Sequence, residues 1–209
     1  SAAGHQVSWV AADVTEREPV NQAVRQLEAE LGPCHVAIAS AGVYRITDGA
    51  AYDAERATQV IATNLLGASH LLGAVLPGMV SRRAGVVCGV SSLGALLPLP
   101  GGAAYGASKA ALAMLLDSVR LDVARHGVQV TTVFPGFIDT PMITEEERRT
   151  IRGLLTAPQA AQRVLDAIQR RRRNAYFPWT LAWQCRLAPW LPWPIYQWAM
   201  RFVEPLAET

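Results

Sequence analysis

Short apolar runs alternate with longer amphipathic stretches along roughly the first 140 residues. Val7–Ala12 (VSWVAA) reads as a strand. Glu18 to Leu31 follows with apolar residues at Val20, Ala23, Val24, Leu27 and Leu31, the spacing of one helix face. Gly32-Pro33 stops that helix, and Val36–Ala39 predicts a second strand that breaks at Ala41-Gly42. Ala54 to Arg82 reads as a long helix with Asn64 in its middle, and Gly85–Val90 as a third, buried strand that runs into Ser91-Ser92-Leu93-Gly94. Tyr105 to Arg125 is the next helix, and Gln129–Phe134 a fourth strand ending at Pro135-Gly136. Mostly apolar strands, each followed by a helix, predict an α/β fold: a doubly wound parallel sheet with helices on both faces.

After about residue 147 the pattern changes, which suggests a catalytic core over 1–147 and a C-terminal part over 148–209. Thr144 to Arg152 is strongly charged, and a helix is expected from Pro158 to Arg173, ending in four arginines. Cations suit the negative end of a helix, and they also suit an anionic surface. Tyr176 to Val203 then carries Trp179, Trp183, Trp190, Trp193 and Trp198, punctuated by prolines at 178, 189, 192 and 194. Those prolines and Arg186 argue against a membrane-spanning helix and for a segment that covers the substrate side or lies on a membrane surface.

Composition excludes several classes. The 209 residues carry 19 basic and 17 acidic side chains, too balanced for a general nucleic-acid binder. Cys34, Cys88 and Cys185 lie far apart with no CxxC, and His5, His35, His70 and His126 show no ligand spacing, so neither a disulfide framework nor a metal site is expected. A reducing, cytoplasmic setting fits, with the inner face of a membrane as the peripheral alternative. Eighteen of the basic residues are arginine; the one lysine is Lys109.

That lysine sits four residues after Tyr105, so both side chains leave one face of a helix. A phenol has a reference pKa of about 10 and is a poor acid–base catalyst near neutrality. A neighbouring ammonium favours phenolate and should bring the tyrosine into range. Ser92, at the mouth of a strand, offers a hydroxyl to a substrate oxygen.

Together these residues resemble the short-chain dehydrogenase/reductase family over roughly residues 5 to 143. Tyr105-Gly106-Ala107-Ser108-Lys109 is a YxASK motif, and Ser92 precedes the tyrosine by the family's 13 residues, which favours it over Ser91. Asn64, in TNLLG, matches the helix asparagine that completes the family's catalytic tetrad. Asp13-Val14 matches the pair that contacts adenine, and Pro135, Gly136 and Thr140, in FPGFIDTPM, match the segment lining the nicotinamide.

The resemblance implies a hydride transfer between NAD or NADP and a carbonyl or secondary alcohol. Tyr105 would move the proton, Lys109 would tune Tyr105 and bind the nicotinamide ribose, Ser92 would hold the substrate oxygen, and Asn64 would anchor a relaying water. A compact ammonium, not a guanidinium fork, fits that role. The family also implies a homodimer or homotetramer built on the helices carrying Asn64 and Tyr105. The Trp- and Arg-rich tail is loosely similar to that of 3-ketosphinganine-reductase-like members, which would make a lipid a candidate substrate.

Two departures bear on this. Where the family has NNAG, this chain has Ala39-Ser40-Ala41-Gly42; Ser40 still offers a hydrogen bond, and Ala41-Gly42 keep the backbone close to the cofactor. More seriously, the TGxxxGxG loop that cradles the cofactor pyrophosphate is not in this sequence. By its motifs the chain starts before the family's third strand, so the first two strands are expected to be missing and the 209 residues to be part of a longer enzyme. A self-sufficient chain of this kind would bind a dinucleotide weakly or not at all. It would then be a non-catalytic relic acting as a binding or membrane-associated protein.

Overall fold

The computed structural model describes residues 6–203 except 142, 144 and 152, so both ends of the charged stretch Thr144–Arg152 lie outside the described residues. The first helix, α1 (Arg17–Leu31), ends at Gly32, whose φ of 87° only a glycine adopts without strain. Strand β1 (Val36–Ala39) leads through an irregular stretch to α2 (Ala54–Ile61), which Asp53 caps by accepting hydrogen bonds from the amides of Glu55 and Arg56. One wide π turn, Ala62–Leu66, joins α2 to α3 (Gly67–Ser81), so the long helix expected over 54–82 carries a bulge centred on Asn64. By length and composition this run could cross a membrane. Here it turns Val60, Leu72, Val75 and Met79 into the protein core instead.

Strand β2 (Gly85–Val90), helix α4 (Ala103–Val123) and strand β3 (Val128–Pro135) follow, then short β4 (Ile138–Asp139), α5 (Glu145–Thr150) and β5 (Leu155–Thr156). Helix α6 (Ala157–Gln169) opens with a reciprocal Thr156–Gln159 capping box. Strand β6 (Asn174–Phe177) and helices α7 (Trp179–Leu187) and α8 (Trp193–Met200) complete the chain.

The main sheet has the order β1-β2-β3-β6, every pairing parallel. Parallel neighbours need crossover helices, and these cover both faces. On one side Leu72, Met79, Leu112 and Leu116 pack on Val87 and Val130; on the other, Ala160 and Ala167 of α6 pack on Cys88, Val133 and Phe177. Val130 and Val133 differ in parity along β3, so the two-residue repeat of a strand sends them to opposite faces.

Three expectations change. Val7–Ala12 forms no strand, because no strand among the described residues lies beside it to complete a ladder; Val7 and Trp9 are exposed. The helix expected to Arg173 stops at Gln169. Arg171 is in the left-handed region, and the Arg173 carbonyl accepts from the Thr132 amide, which starts β6. Nor does the sheet end at residue 147: β6, read from sequence as the start of an irregular tail, is an integral strand beside β3. The Arg120 guanidinium ties the two strands, donating to the carbonyls of Val130 (2.8 Å) and Arg173 (3.0 Å).

Among the described residues β1 pairs on one side only, with β2. Val36 (47% exposed) and Ile38 (39%), two residues apart on one face, are uncovered, as expected for this strand without an outer neighbour.

Candidate active site

The parallel strands all run the same way, so their carboxyl ends gather the loops at one edge of the sheet, where open α/β sheets bind ligands. β1 delivers Ser40, Ala41 and Gly42 there, β2 delivers Ser91 and Ser92, and β3 delivers Gly136. Helix α4 enters the same edge with Tyr105 and Lys109 in its first two turns. Its start is fixed from outside: Thr47, buried, accepts from the Ala104 amide at 3.0 Å.

The two adjacent serines face different ways. Ser91 is buried, and its hydroxyl donates to the Lys109 carbonyl at 2.8 Å, pinning α4 to β2. Ser92 is half-buried; its Oγ accepts from the Gly94 amide at 3.1 Å, and it shares that glycine with the Tyr105 ring, the two lying 3.5 and 3.6 Å from where a side-chain carbon on Gly94 would stand. The ring of Tyr44 meets that of Tyr105 edge to face, with centroids 5.4 Å apart.

Lys109 is 4% exposed and has no carboxylate beside it among the described residues. Its Nζ donates to the Val90 carbonyl at 2.9 Å and lies 5.9 Å from the Tyr105 ring centroid. Burial pushes the ammonium down to about 8. Burial likewise holds the Tyr105 phenol above the usual tyrosine value, the Ser92 hydroxyl pulling the other way. The sequence led us to expect the opposite sign, a phenol lowered by its ammonium neighbour. Desolvation outweighs that attraction here, because the lysine reaches past the ring to the end of β2.

Asn64, 1% exposed in the π turn, works as a clamp. Its Oδ1 accepts from the Val43 amide (2.8 Å), and its Nδ2 donates to the Val43 carbonyl (3.0 Å) and to Ser108 Oγ (3.0 Å). Ser108 in turn donates to the Tyr105 carbonyl at 2.7 Å. One network thus ties the loop after β1 to the helix carrying Tyr105. Gly42 belongs to it by proximity, since a side-chain carbon there would lie 3.1 Å from Lys109 Nζ and 3.3 Å from Asn64 Oδ1. Gly136 lies against Leu93, Pro178 and Leu181.

The remaining cofactor candidates make their contacts elsewhere. The Asp13 carboxylate closes its own turn, accepting from the Thr15 amide and hydroxyl at 2.8 Å each, which holds it below the usual carboxylate range. Val14 packs on Gly67 at the start of α3, and its carbonyl meets His70 Nδ1 at 3.0 Å. The Thr140 carbonyl accepts from Arg148 and from the Ile143 amide, while buried Pro135 ends β3. Val43, Tyr44, Thr47 and Ser108 escaped the sequence reading. Only Ser108, inside YGASK, had a local signal.

Does this edge suit a nicotinamide cofactor? An ammonium has three N–H donors, and Lys109 uses one on Val90 among the described residues. A buried cation with unspent donors, beside a glycine that keeps the backbone close, fits the hydroxyls of a ribose. The described residues contain no TGxxxGxG loop for the pyrophosphate; Gly101 and Gly102 open α4, the helix that carries Tyr105.

Comparison with known proteins agrees with this geometry. A family model described as short chain dehydrogenase matches residues 1–150. An uncharacterized oxidoreductase of Myxococcus xanthus (strain DK1622) is 38% identical over 200 residues, covering 96% of this chain and 79% of that protein. Among solved structures, a gluconate 5-dehydrogenase from Burkholderia cenocepacia J2315, in complex with NADP and tartrate, superposes with a TM-score of 0.60 at 29% identity. That match covers 66% of this chain and 52% of the dehydrogenase, so the chain spans about half its length. A short-chain dehydrogenase from Streptomyces avermitilis gives a TM-score of 0.73 over 87% of this chain and 74% of the other, at 23% identity, a likeness of fold.

Proposed function

The chain belongs to the short-chain dehydrogenase/reductase family of NAD(P)-dependent oxidoreductases, and from that premise we propose that it reduces a carbonyl to a secondary alcohol, or the reverse, by tyrosine acid–base catalysis. The observation that carries this reading is the convergence of Ser92 Oγ and the Tyr105 ring on Gly94 at the carboxyl edge of the sheet, with Lys109 one helical turn behind. A bound nicotinamide supplies or accepts the hydride. Lys109 and the backbone at Gly42 would hold its ribose, and Pro135–Gly136 would flank the ring.

The chain's own groups do the rest. Ser92 Oγ directs the substrate oxygen toward the Tyr105 hydroxyl, which donates its proton as the carbonyl oxygen gains negative charge. With its phenol held above the ordinary value, Tyr105 is a proton donor throughout the neutral range, which suits the reductive direction. Asn64, through Ser108, holds the backbone of α4 at Tyr105 and keeps the loop after β1 against Lys109.

Exposed Met114 and Leu121, seven residues apart on one face of α4, support a homo-oligomer in which α3 and α4 pair between copies. The activity is tested by following nicotinamide absorbance with a panel of small ketones. Tyr105→Phe should bind NAD(H) or NADP(H) as the parent does and lose turnover by about 10²–10⁴-fold. Near-parental turnover in that variant would sink the mechanism, and a parent that neither binds nor turns over cofactor would favour the relic reading.

A further inference from the structure

We propose that the outer face of α7 and α8 is a docking surface for an anionic lipid bilayer. Helix α7 buries Ala182 and Cys185 and leaves Trp179, Trp183 and Leu187 exposed at four-residue spacing. Helix α8 buries Tyr196 and leaves Ile195, Trp198 and Phe202 on its far side, while the turn between the helices projects Trp190 with 85% of its surface open. Five of the six tryptophans in the chain lie in this hairpin. Indole rings favour the boundary between headgroups and acyl chains, where an apolar body and one N–H donor are both satisfied.

Charge selects the occupant. Residues 167–203 hold six of the 19 basic residues and none of the 17 acidic ones. Arg173 is paired with Asp117, whereas Arg170, Arg171, Arg172 and Arg186 have no carboxylate partner among the described residues. A cleft of about 230 Å³ opens among Arg172, Trp179, Trp183 and Arg186, and the Arg186 guanidinium is stacked 4.6 Å over Tyr176 at its wall. A second copy of the chain on this face would set arginines against arginines. A surface of phosphate headgroups neutralises them, each arginine adding roughly fivefold to the partition.

The surface is joined rigidly to the catalytic edge. The inner side of α7 packs Ala182 and Cys185 on Leu93 of the loop that leaves Ser92, and the Tyr196 hydroxyl donates to the Pro98 carbonyl in the same loop. Docking therefore sets the catalytic residues close to the bilayer.

Co-sedimentation of the full chain with vesicles of phosphatidylcholine, alone or mixed three to one with phosphatidylglycerol, tests this. Binding to the anionic vesicles should exceed binding to neutral ones at least tenfold and weaken as salt is raised. Arg170→Gln with Arg172→Gln, and separately Trp183→Ser with Trp190→Ser and Trp198→Ser, should each lower it tenfold or more while circular dichroism stays unchanged. Equal binding to both vesicle types, or binding that survives both sets of substitutions, overturns the proposal. So does a tryptophan variant that loses self-association instead of vesicle binding, which would make the face a contact between copies.

Discussion

Ser92 Oγ and the edge of the Tyr105 ring converge on Gly94, 3.5 and 3.6 Å from where a side-chain carbon on that glycine would stand, and the serine hydroxyl draws the phenol's pKa down against the effect of burial. Ser92→Ala should therefore move Tyr105 further up. In the oxidative direction, which needs phenolate, the rise of rate with pH should shift to higher pH, and turnover should fall by about 10²-fold. A pH–rate profile of alcohol oxidation checks this, and an unchanged profile with full activity would show that Ser92 does not set the tyrosine.

Lys109 gives a stability signature. Its folded pKa of about 8 lies below the ordinary lysine value of 10.5, so between those values the unfolded chain binds more protons than the folded one. The cost of burying the cation is present in full below about pH 8 and fades as pH rises. Urea unfolding should show the parent gaining stability relative to Lys109→Met between pH 8 and 10; the difference cancels the opposite contribution of the Cys34, Cys88 and Cys185 thiols, which burial raises in both proteins. Above pH 10 the raised Tyr105 acts in the opposite sense, so the comparison belongs below it.

Asn64→Ala removes partners from both the amide and the carbonyl of Val43 and from Ser108. Stranding such buried groups should cost about 2–4 kcal/mol in a denaturant titration. A loss under 0.5 kcal/mol would mean that the π turn relaxes and water takes over.

Two glycines separate backbone strain from collision. Gly32 and Gly127 both have positive φ, 87° and 72°, but a side-chain carbon on Gly32 meets open space and one on Gly127 meets the Arg83 carbonyl. Gly32→Ala should lower stability by about 1 kcal/mol, and Gly127→Ala by at least about twice as much. Equal losses would assign the whole effect to φ.

For the 209-residue chain, β1 pairs on one side only among the described residues, which predicts association. Ile38→Lys should leave the melting temperature within about 2 °C, since the side chain is already partly in water, and should lower concentration-dependent aggregation measured by light scattering. Unchanged aggregation would place the sticky surface elsewhere.

What the sequence determined is what chain neighbours decide. The 3.6-residue repeat put Tyr105 and Lys109 on one helix face, and three of the four apolar runs became the neighbouring parallel strands β1, β2 and β3 of the α/β sheet. A lone lysine among arginines marked the one position where a compact ammonium lies buried behind a tyrosine. Tertiary structure decided the rest, because those properties belong to residues far apart in sequence. Asn174–Phe177 is a strand only because β3 and Arg120 supply its ladder, and Val7–Ala12 is not one because no strand among the described residues pairs with it. Ser91 and Ser92 differ in role through contacts with α4. The sign of the Tyr105 shift came from burial that no local spacing encodes: a motif places two groups side by side, but only the packed fold sets how much water each keeps.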